Sequence, residues 1–478
     1  MAFTDVMFLF IFFPITTLLY YISGKKLKNI LLLIFSLLFY SFGDSNAFSL
    51  LVITIVVNYI LGILLGKEHK ILKNIALILT LLWNVGFLFY FKYLSTILGF
   101  WHPDGNFEQI ILPIGISFFT FRCISYCVDV YWGISKTQYN PINLALYISF
   151  FPQLLMGPIT KYRDFEPSFT DKRLNLDNAT DGVKRIILGL AKKLIIADRI
   201  GLMVDEVFAL NSTDKSVVLA WFGVLAFLIQ LYYDFSGYSD IAIGLGKLLG
   251  FETPENFNYP YISKGIIEFW NKWHITLGEW FREYVFTPLF RFFQSKNIKF
   301  NYCNYLSLFF VWLLVGIWHG SGLKFAVYGL YYFVFILFER IFENVNKTRK
   351  KQNLSVFKIP SFISHIYFIL AIFIGQLMFK SETLASFWHY FNDLFALNGN
   401  VFFNKLALYY IKAFGVTTLV GIIFSLPIIS KIKSLIPESG IKHNIFAILK
   451  VCCYCTLALL AISYAMTNTA ESFIYFKF

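Results

Sequence analysis

Long apolar runs return from one end of this sequence to the other, and short clusters of lysine separate them. Val6 to Ile22, Asn29 to Phe42, Phe48 to Gly66, Ile75 to Phe91, Leu323 to Phe338, Phe362 to Phe379, Leu406 to Leu426 and Ile445 to Met466 each read as a span. A helix needs about 20 apolar residues to cross the hydrocarbon of a bilayer, and with the interrupted runs the pattern predicts about eleven or twelve crossings. The runs are continuous and do not alternate, so helices rather than barrel strands follow. At 58% hydrophobic and 14% charged residues, the chain exceeds what a soluble domain of 478 residues needs to bury. The fold class is all-α, polytopic and membrane-embedded.

The formal charge of +13 does not point to nucleic acid. The basic residues lie in clusters between apolar runs, not along one stripe. Lys25, Lys26 and Lys28, then Lys67, Lys70 and Lys73, then Lys347 to Lys351, mark cytoplasmic connections by the positive-inside rule, and Lys431 and Lys433 mark another basic connection. The N-terminus and the loop from Trp101 to Gln109 then face out. The first run, preceded by Asp5 and no basic residue, reads as a span rather than a cleaved signal peptide. Cys123 and Cys127 lie in one apolar run; Cys452, Cys453 and Cys455 lie in another. The single Cys452-x-x-Cys455 has no second pair, so these read as small packing residues and no metal site is expected. Without repeats or low-complexity linkers, residues 1–478 read as one domain.

Several runs are interrupted by groups that are costly in hydrocarbon. Ile110 to Tyr131 contains Pro113, Arg122 and Asp129, the last two spaced to share a helix face, where they pair or line a cavity. Leu144 to Ile159 contains Pro152, Gln153, Gly157 and Pro158 and reads as a broken or re-entrant helix. Gly182 to Phe208 sets Lys184, Arg185, Lys192, Lys193 and Arg199 among Ile and Leu, an interfacial amphipathic helix on the cytoplasmic leaflet. Asp234-Phe-Ser236-Gly-Tyr238-Ser-Asp240 follows the apolar Val217 to Tyr233 and is either a hydrogen-bonded packing knot or a substrate contact. Glu339 to Lys358 reads as a lysine-rich loop.

The stretch from Glu268 to Ser321 holds the strongest chemical candidates. On a helical wheel from Glu268 to Tyr284, Phe269, Trp270, Trp273, Leu277, Trp280, Phe281 and Tyr284 share one side, with His274 at its edge. Glu268, Lys272, Glu279, Arg282 and Glu283 share the other, which suits a helix at the membrane–water boundary. His319 ends an apolar run that has no other titratable group from Leu306 onward. An ionisable residue within a span is a functional candidate by default.

Trp318-His319-Gly320, together with Phe269-Trp270, Trp273-His274 and Glu279-Trp-Phe-Arg-Glu-Tyr-Val-Phe-Thr-Pro-Leu289, resembles the membrane-bound O-acyltransferase family. Leu112-Pro-Ile-Gly-Ile-Ser-Phe-Phe-Thr-Phe121, Asp129-Val-Tyr131, Phe150-Phe-Pro-Gln-Leu154 with Gly157-Pro-Ile159, the Asp234–Asp240 block and the terminal Phe473-Ile-Tyr-Phe-Lys-Phe478 are similar to its alginate O-acetylation branch. The resemblance covers nearly the whole chain, except that Glu339 to Asn400 carries no matching motif.

The resemblance implies a helical bundle with a transmembrane tunnel and interfacial or re-entrant helices, in the plasma or inner membrane. It implies transfer of an acetyl group from cytoplasmic acetyl-CoA to a hydroxyl of an exported polysaccharide, or to the serine of an exported esterase-like acetyltransferase partner. No bound cofactor is expected. Membrane lipid surrounds the chain, and the basic Gly182–Phe208 helix offers a secondary contact for the phosphates of coenzyme A. His319 is the implied catalytic base, because an alcohol is a weak nucleophile until its proton is taken; His274 is the weaker second member. Asn271, Trp273, Arg282, Trp318, Asp234, Ser236, Tyr238, Asp240 and Gln153 are the implied substrate or tunnel residues. D-Alanyl transfer towards teichoic acid from a carrier-protein thioester is the alternative, since it shares the Trp-His-Gly site. A non-enzymatic polysaccharide transporter fits less well, since no inverted repeats with paired broken helices are visible.

Overall fold

A computed structural model describes residues 1–101, 110–172, 175–434, 439–467 and 473. Most of the expected outer loop, and the terminal motif apart from Phe473, lie outside the described residues. Among the described residues the regular secondary structure is all helical, with one isolated antiparallel bridge between Phe257 and Trp273. In chain order the principal helices are α1 (Phe8–Ile22), α2 (Lys28–Gly43), α3 (Phe48–Leu65), α4 (Lys70–Trp101), α5 (Ile116–Trp132), α6 (Pro141–Ser149), α7 (Leu176–Ala191), α8 (Asp198–Ala209) and α9 (Val217–Leu248). They continue with α10 (Ile266–Trp270), α11 (Ile275–Phe281), α12 (Thr287–Ser295), α13 (Phe300–His319), α14 (Leu323–Lys351), α15 (Ser361–Lys380), α16 (Leu384–Asp393), α17 (Lys405–Phe424) and α18 (Ile441–Met466).

Among the described residues, eight helices are long and apolar enough to span a bilayer, and α1 and α2 are shorter apolar helices. That is fewer than the apolar runs alone predicted. The run around Pro152 does not form a span: α6 stops at Ser149, a short 3-10 turn covers Phe151–Gln153, and irregular backbone continues to Lys161. This buried segment is broken, one of the two forms expected of it. Two boundaries need correction. α9 passes through Asp234–Asp240 as one 32-residue helix, and α14 remains helical to Lys351 through most of the expected loop. In both cases the polar side chains are accommodated by partners or solvent, so they do not end the helix.

Contacts group the described residues into two units, the first drawn from 1–191, 235–256 and 454–467 with 473, the second from 192–234 and 257–453. In the first, Phe8, Phe12, Phe39 and Phe151 pack ring against ring at 5.5 to 6.5 Å. Tyr20 and Tyr21 donate their hydroxyls to the carbonyls of Leu249 and Leu248, satisfying acceptors at the end of α9. Arg122, buried on α5, places its guanidinium 4.6 Å from the Tyr147 ring and 5.5 Å from that of Phe165, a cation–π contact. α7 crosses α9 closely: a methyl on Gly244 would stand 2.6 Å from the Gly182 carbonyl.

The second unit holds a buried ionic knot and a tight helical hairpin. Lys193 bridges Asp234 at 2.6 Å and Asp198 at 2.7 Å. Burial opposes the Lys193 charge, but the two carboxylates outweigh it and raise its pKa. α13 and α14 cross at glycines: a methyl on Gly329 would lie 2.2 Å from the Trp312 carbonyl, and one on Gly316 would lie 2.3 Å from the Phe325 carbonyl. This close approach lets the two backbones touch and sets the face carrying Trp312, Val315 and His319.

Candidate active site

The expected continuous helix from Glu268 to Tyr284 is broken. α10 ends at Trp270, a turn follows, and His274 takes a left-handed backbone, φ 46° and ψ 52°, before α11 starts at Ile275. Such a conformation costs about 1–2 kcal/mol for a non-glycine residue and persists only when its surroundings enforce it. Phe257 bridges Trp273, and the Asn258 amide donates to the Lys272 carbonyl at 2.9 Å. The His274 carbonyl accepts from the Leu277 and Gly278 amides. At the start of α10, the Glu339 carboxylate accepts from the Ile266 and Ile267 amides at 2.6 and 2.9 Å, filling positions that helix starts leave open. Tertiary contacts thus override the local helical pattern. The tryptophan face is nonetheless protected: Trp273 and Trp280 are buried and Trp270 is half-buried, while Glu279 is exposed.

This broken segment walls a cavity of about 560 Å³. Its lining includes Trp270, Asn271, Trp273, His274, Gly278 and Arg282 from the break and α11, and Asn304, Val311, Trp312 and Val315 from α13, with Ile336 and Arg340 from α14. Along α13 the lining runs from Asn304 to Val315, about 16 Å at 1.5 Å per residue. Arg282 donates to Asn271 at 3.3 Å, and Arg340 pairs with Glu343 at 3.3 Å. The cavity is therefore apolar and aromatic, with amide and guanidinium groups on its wall. Burial pushes His274 down to about 3, so its imidazole is neutral at physiological pH.

His319 is the last residue of α13 and is buried, one turn beyond Val315, and it is not on the cavity wall. Its ring lies 4.7 Å from Trp318, 5.3 Å from Phe379 and 5.8 Å from Tyr328, each at a steep angle. Trp318 in turn lies 6.3 Å from the His274 ring. The Lys324 ammonium donates to the carbonyls of Phe379 and Ser381, holding the end of α15 against the start of α14.

Of the residues singled out by sequence, Asn271, Trp273, His274 and Arg282 share one cavity, and Trp318 connects His274 to His319. Asp234 is instead held in the buried knot with Lys193. Asp240 accepts from Arg185 at 2.6 Å, and Arg185 also binds Glu255; burial disfavours the Arg185 charge, but these two carboxylates outweigh it. Gln153 donates to Thr253 at 2.9 Å, Tyr238 stacks on Phe3 at 4.7 Å, and Ser236 is buried. These four belong to the first unit, in packing and ion-pair contacts. The basic helix expected at Gly182–Phe208 starts at Leu176 and contains a π-helical segment, Lys192–Ala197. Lys184, Arg185 and Lys193 are engaged with carboxylates, which leaves less of a cationic rim than the sequence suggested. Missed by sequence were Trp312, Val315, Asn304 and Arg340. The spacing of Trp312, Val315 and His319 does place them on one face of a helix, but Arg340 was hidden in an assumed loop.

A polytopic helical membrane protein with a histidine at the end of a span and a second beside an internal cavity has the layout of a membrane acyltransferase. The membrane-bound O-acyltransferase family model matches residues 134–382, and the chain belongs to that family. It is 35% identical to the probable alginate O-acetylase AlgI of Pseudomonas aeruginosa, over 83% of this chain and 75% of that one. It is 33% identical to the peptidoglycan O-acetyltransferase of Helicobacter pylori, over 84% and 80%. It is 34% identical to the teichoic acid D-alanyltransferase of Bacillus subtilis, over 52% and 63%. The chain is thus a multi-pass membrane acyltransferase whose relatives support O-acetylation.

Proposed function

We propose that this enzyme moves an acetyl group from cytoplasmic acetyl-CoA to a hydroxyl on the other side of the plasma or inner membrane. The acceptor is an exported polysaccharide or the serine of an exported esterase-like acetyltransferase. The observation that carries the reading is the cavity along α13, with arginines and asparagines on its wall and a neutral histidine, His274, whose ring lies 6.3 Å from Trp318, the residue next to His319. Arg340 lies on the part of α14 that leads to Arg349, Lys350 and Lys351, the basic end, which is cytoplasmic by the positive-inside rule. Arg282 and Arg340 suit the phosphates of a coenzyme A thioester entering from there. Aromatic walls suit its apolar arm.

The chemistry needs no covalent acyl-enzyme. The acceptor oxygen attacks the thioester carbonyl while the His319 imidazole takes its proton. The carbon–sulfur bond then breaks and coenzyme A leaves as the thiol. His274, neutral and fixed by its turn, orients the carbonyl or the acceptor. Buried imidazoles hold this geometry without solvent reorganisation, and general-base help is typically worth about 10²–10⁴ in rate. D-Alanyl transfer is the second reading, but the teichoic acid enzyme from Bacillus subtilis aligns with 52% of the chain, against more than 80% for the two O-acetylating relatives. Purified protein in detergent, given labelled acetyl-CoA with a candidate exported partner, should transfer the label; turnover only of a D-alanyl carrier-protein thioester would overturn the acetyl assignment.

A further inference from the structure

The cavity and His319 do not meet directly. Its wall reaches His274, Trp312 and Val315 and stops one turn short of His319. The next turn of α13 presents Trp318, whose ring contacts both histidines, at 6.3 Å and an interplanar angle of 54° to His274, and at 4.7 Å and 60° to His319. His274 is held by its own backbone turn and by the bridged Trp273 beside it. His319 is held by Phe379 and Tyr328. Trp318 is half-buried, and α13 ends one residue later at His319; Gly320 beyond it is extended and followed by the exposed Ser321 and Gly322.

We infer that Trp318 is a movable partition between the donor cavity and His319, and that it sets the preference of the reaction for a bound acceptor over water. This inference rests on the proposed thioester donor. A base able to take a proton from an alcohol can take one from water equally well, so a loaded thioester in reach of His319 and solvent would be hydrolysed. In that side reaction a water oxygen bonds the acyl carbon and the carbon–sulfur bond breaks with its electron pair on sulfur. The proton taken by the imidazole passes to the thiolate, and acetic acid and coenzyme A leave. The indole, packed against both imidazoles, fills the path that such a water would need. An acceptor arriving on the His319 side displaces the ring and opens the path only when a hydroxyl is present to use it.

The test measures acetate released from labelled acetyl-CoA by the purified full-length protein with no acceptor present, alongside the thermal shift that acetyl-CoA produces. Trp318→Ala should raise acceptor-independent acetate release by at least about tenfold, a part of the general-base factor. Trp318→Phe, which keeps an aromatic ring of smaller size, should give a smaller rise and covers the case in which the alanine variant fails to fold. Adding His319→Ala to either should abolish the rise, a dependence that loosened packing alone would not produce. Acetate release at or below the wild-type level in a folded Trp318 variant that acetyl-CoA still stabilises would overturn the partition and leave the donor reading intact. If acetyl-CoA produced no thermal shift in the wild type, the donor reading would fall and the partition with it.

Discussion

The knot of Lys193, Asp198 and Asp234 separates a structural role for Asp234 from a role in substrate contact. Lys193 is 1% exposed, Asp234 2% and Asp198 7%, and the two ion pairs measure 2.6 and 2.7 Å. Lys193→Met would leave two carboxylates desolvated around an apolar side chain. Removing one partner of a buried pair costs about 3–5 kcal/mol, and because one ammonium here serves two carboxylates the upper end of that range applies. Asp234→Asn leaves the Lys193–Asp198 pair in place and should cost about 1–3 kcal/mol, the scale of one buried polar group losing its best partner. The assay is the amount of folded protein in the membrane and its melting temperature in detergent, with acetylation normalised to folded protein. Lys193→Met should be the more destabilised of the two, and the molecules that do fold should keep acetylation per molecule. A Lys193→Met protein of normal abundance and melting temperature that had lost acetylation would refute the structural reading and return Asp234 to the reaction.

Other perturbations address the site itself. His319→Ala should leave abundance unchanged while acyl transfer falls by about two to four orders of magnitude, with His274→Ala costing less; near-normal transfer by a folded His319→Ala protein would remove the proposed base. His274 falls from 6.5 to about 3 through burial, so the unfolded chain gains a proton below 6.5 that the folded chain refuses. Stability should therefore be lost as pH drops, by about 1.4 kcal/mol between pH 7.5 and 5.5, and His274→Gln should remove that part of the slope in melting curves taken across pH. Gly329→Ala places a methyl 2.2 Å from the Trp312 carbonyl on a backbone that cannot yield without parting the helices. It should cost about 1–3 kcal/mol, lower the melting temperature and reduce transfer, whereas Gly322→Ala, with nothing within 4 Å, should do neither.

The all-helical membrane class and the position of His319 were legible from the sequence for the same physical reason. Lipid offers the backbone no hydrogen bonds, so long apolar runs become helices wherever they occur, and a lone histidine ending such a run stands out against it. The dense aromatic motif around Trp273 and His274 likewise marked the region that walls the cavity. Pattern on one strand of sequence does not reveal what a polar group meets across space, and the tertiary structure decided those cases. The sequence left Asp234 and Asp240 open between a packing knot and substrate contacts; folding brings Lys193 and Arg185 against them, and α9 runs unbroken through the block. The helical wheel from Glu268 to Tyr284 assumed one continuous helix. In the fold the helix is broken there: Trp273 bridges Phe257, and His274 beside it takes a left-handed turn. Arg340 entered the cavity because α14 continues beyond its apolar run, which composition alone marks as a loop. Local hydropathy is set by each residue and its near neighbours. Charge pairing, a strained turn and the walls of a cavity depend on residues far apart in the chain, and only folding brings those together.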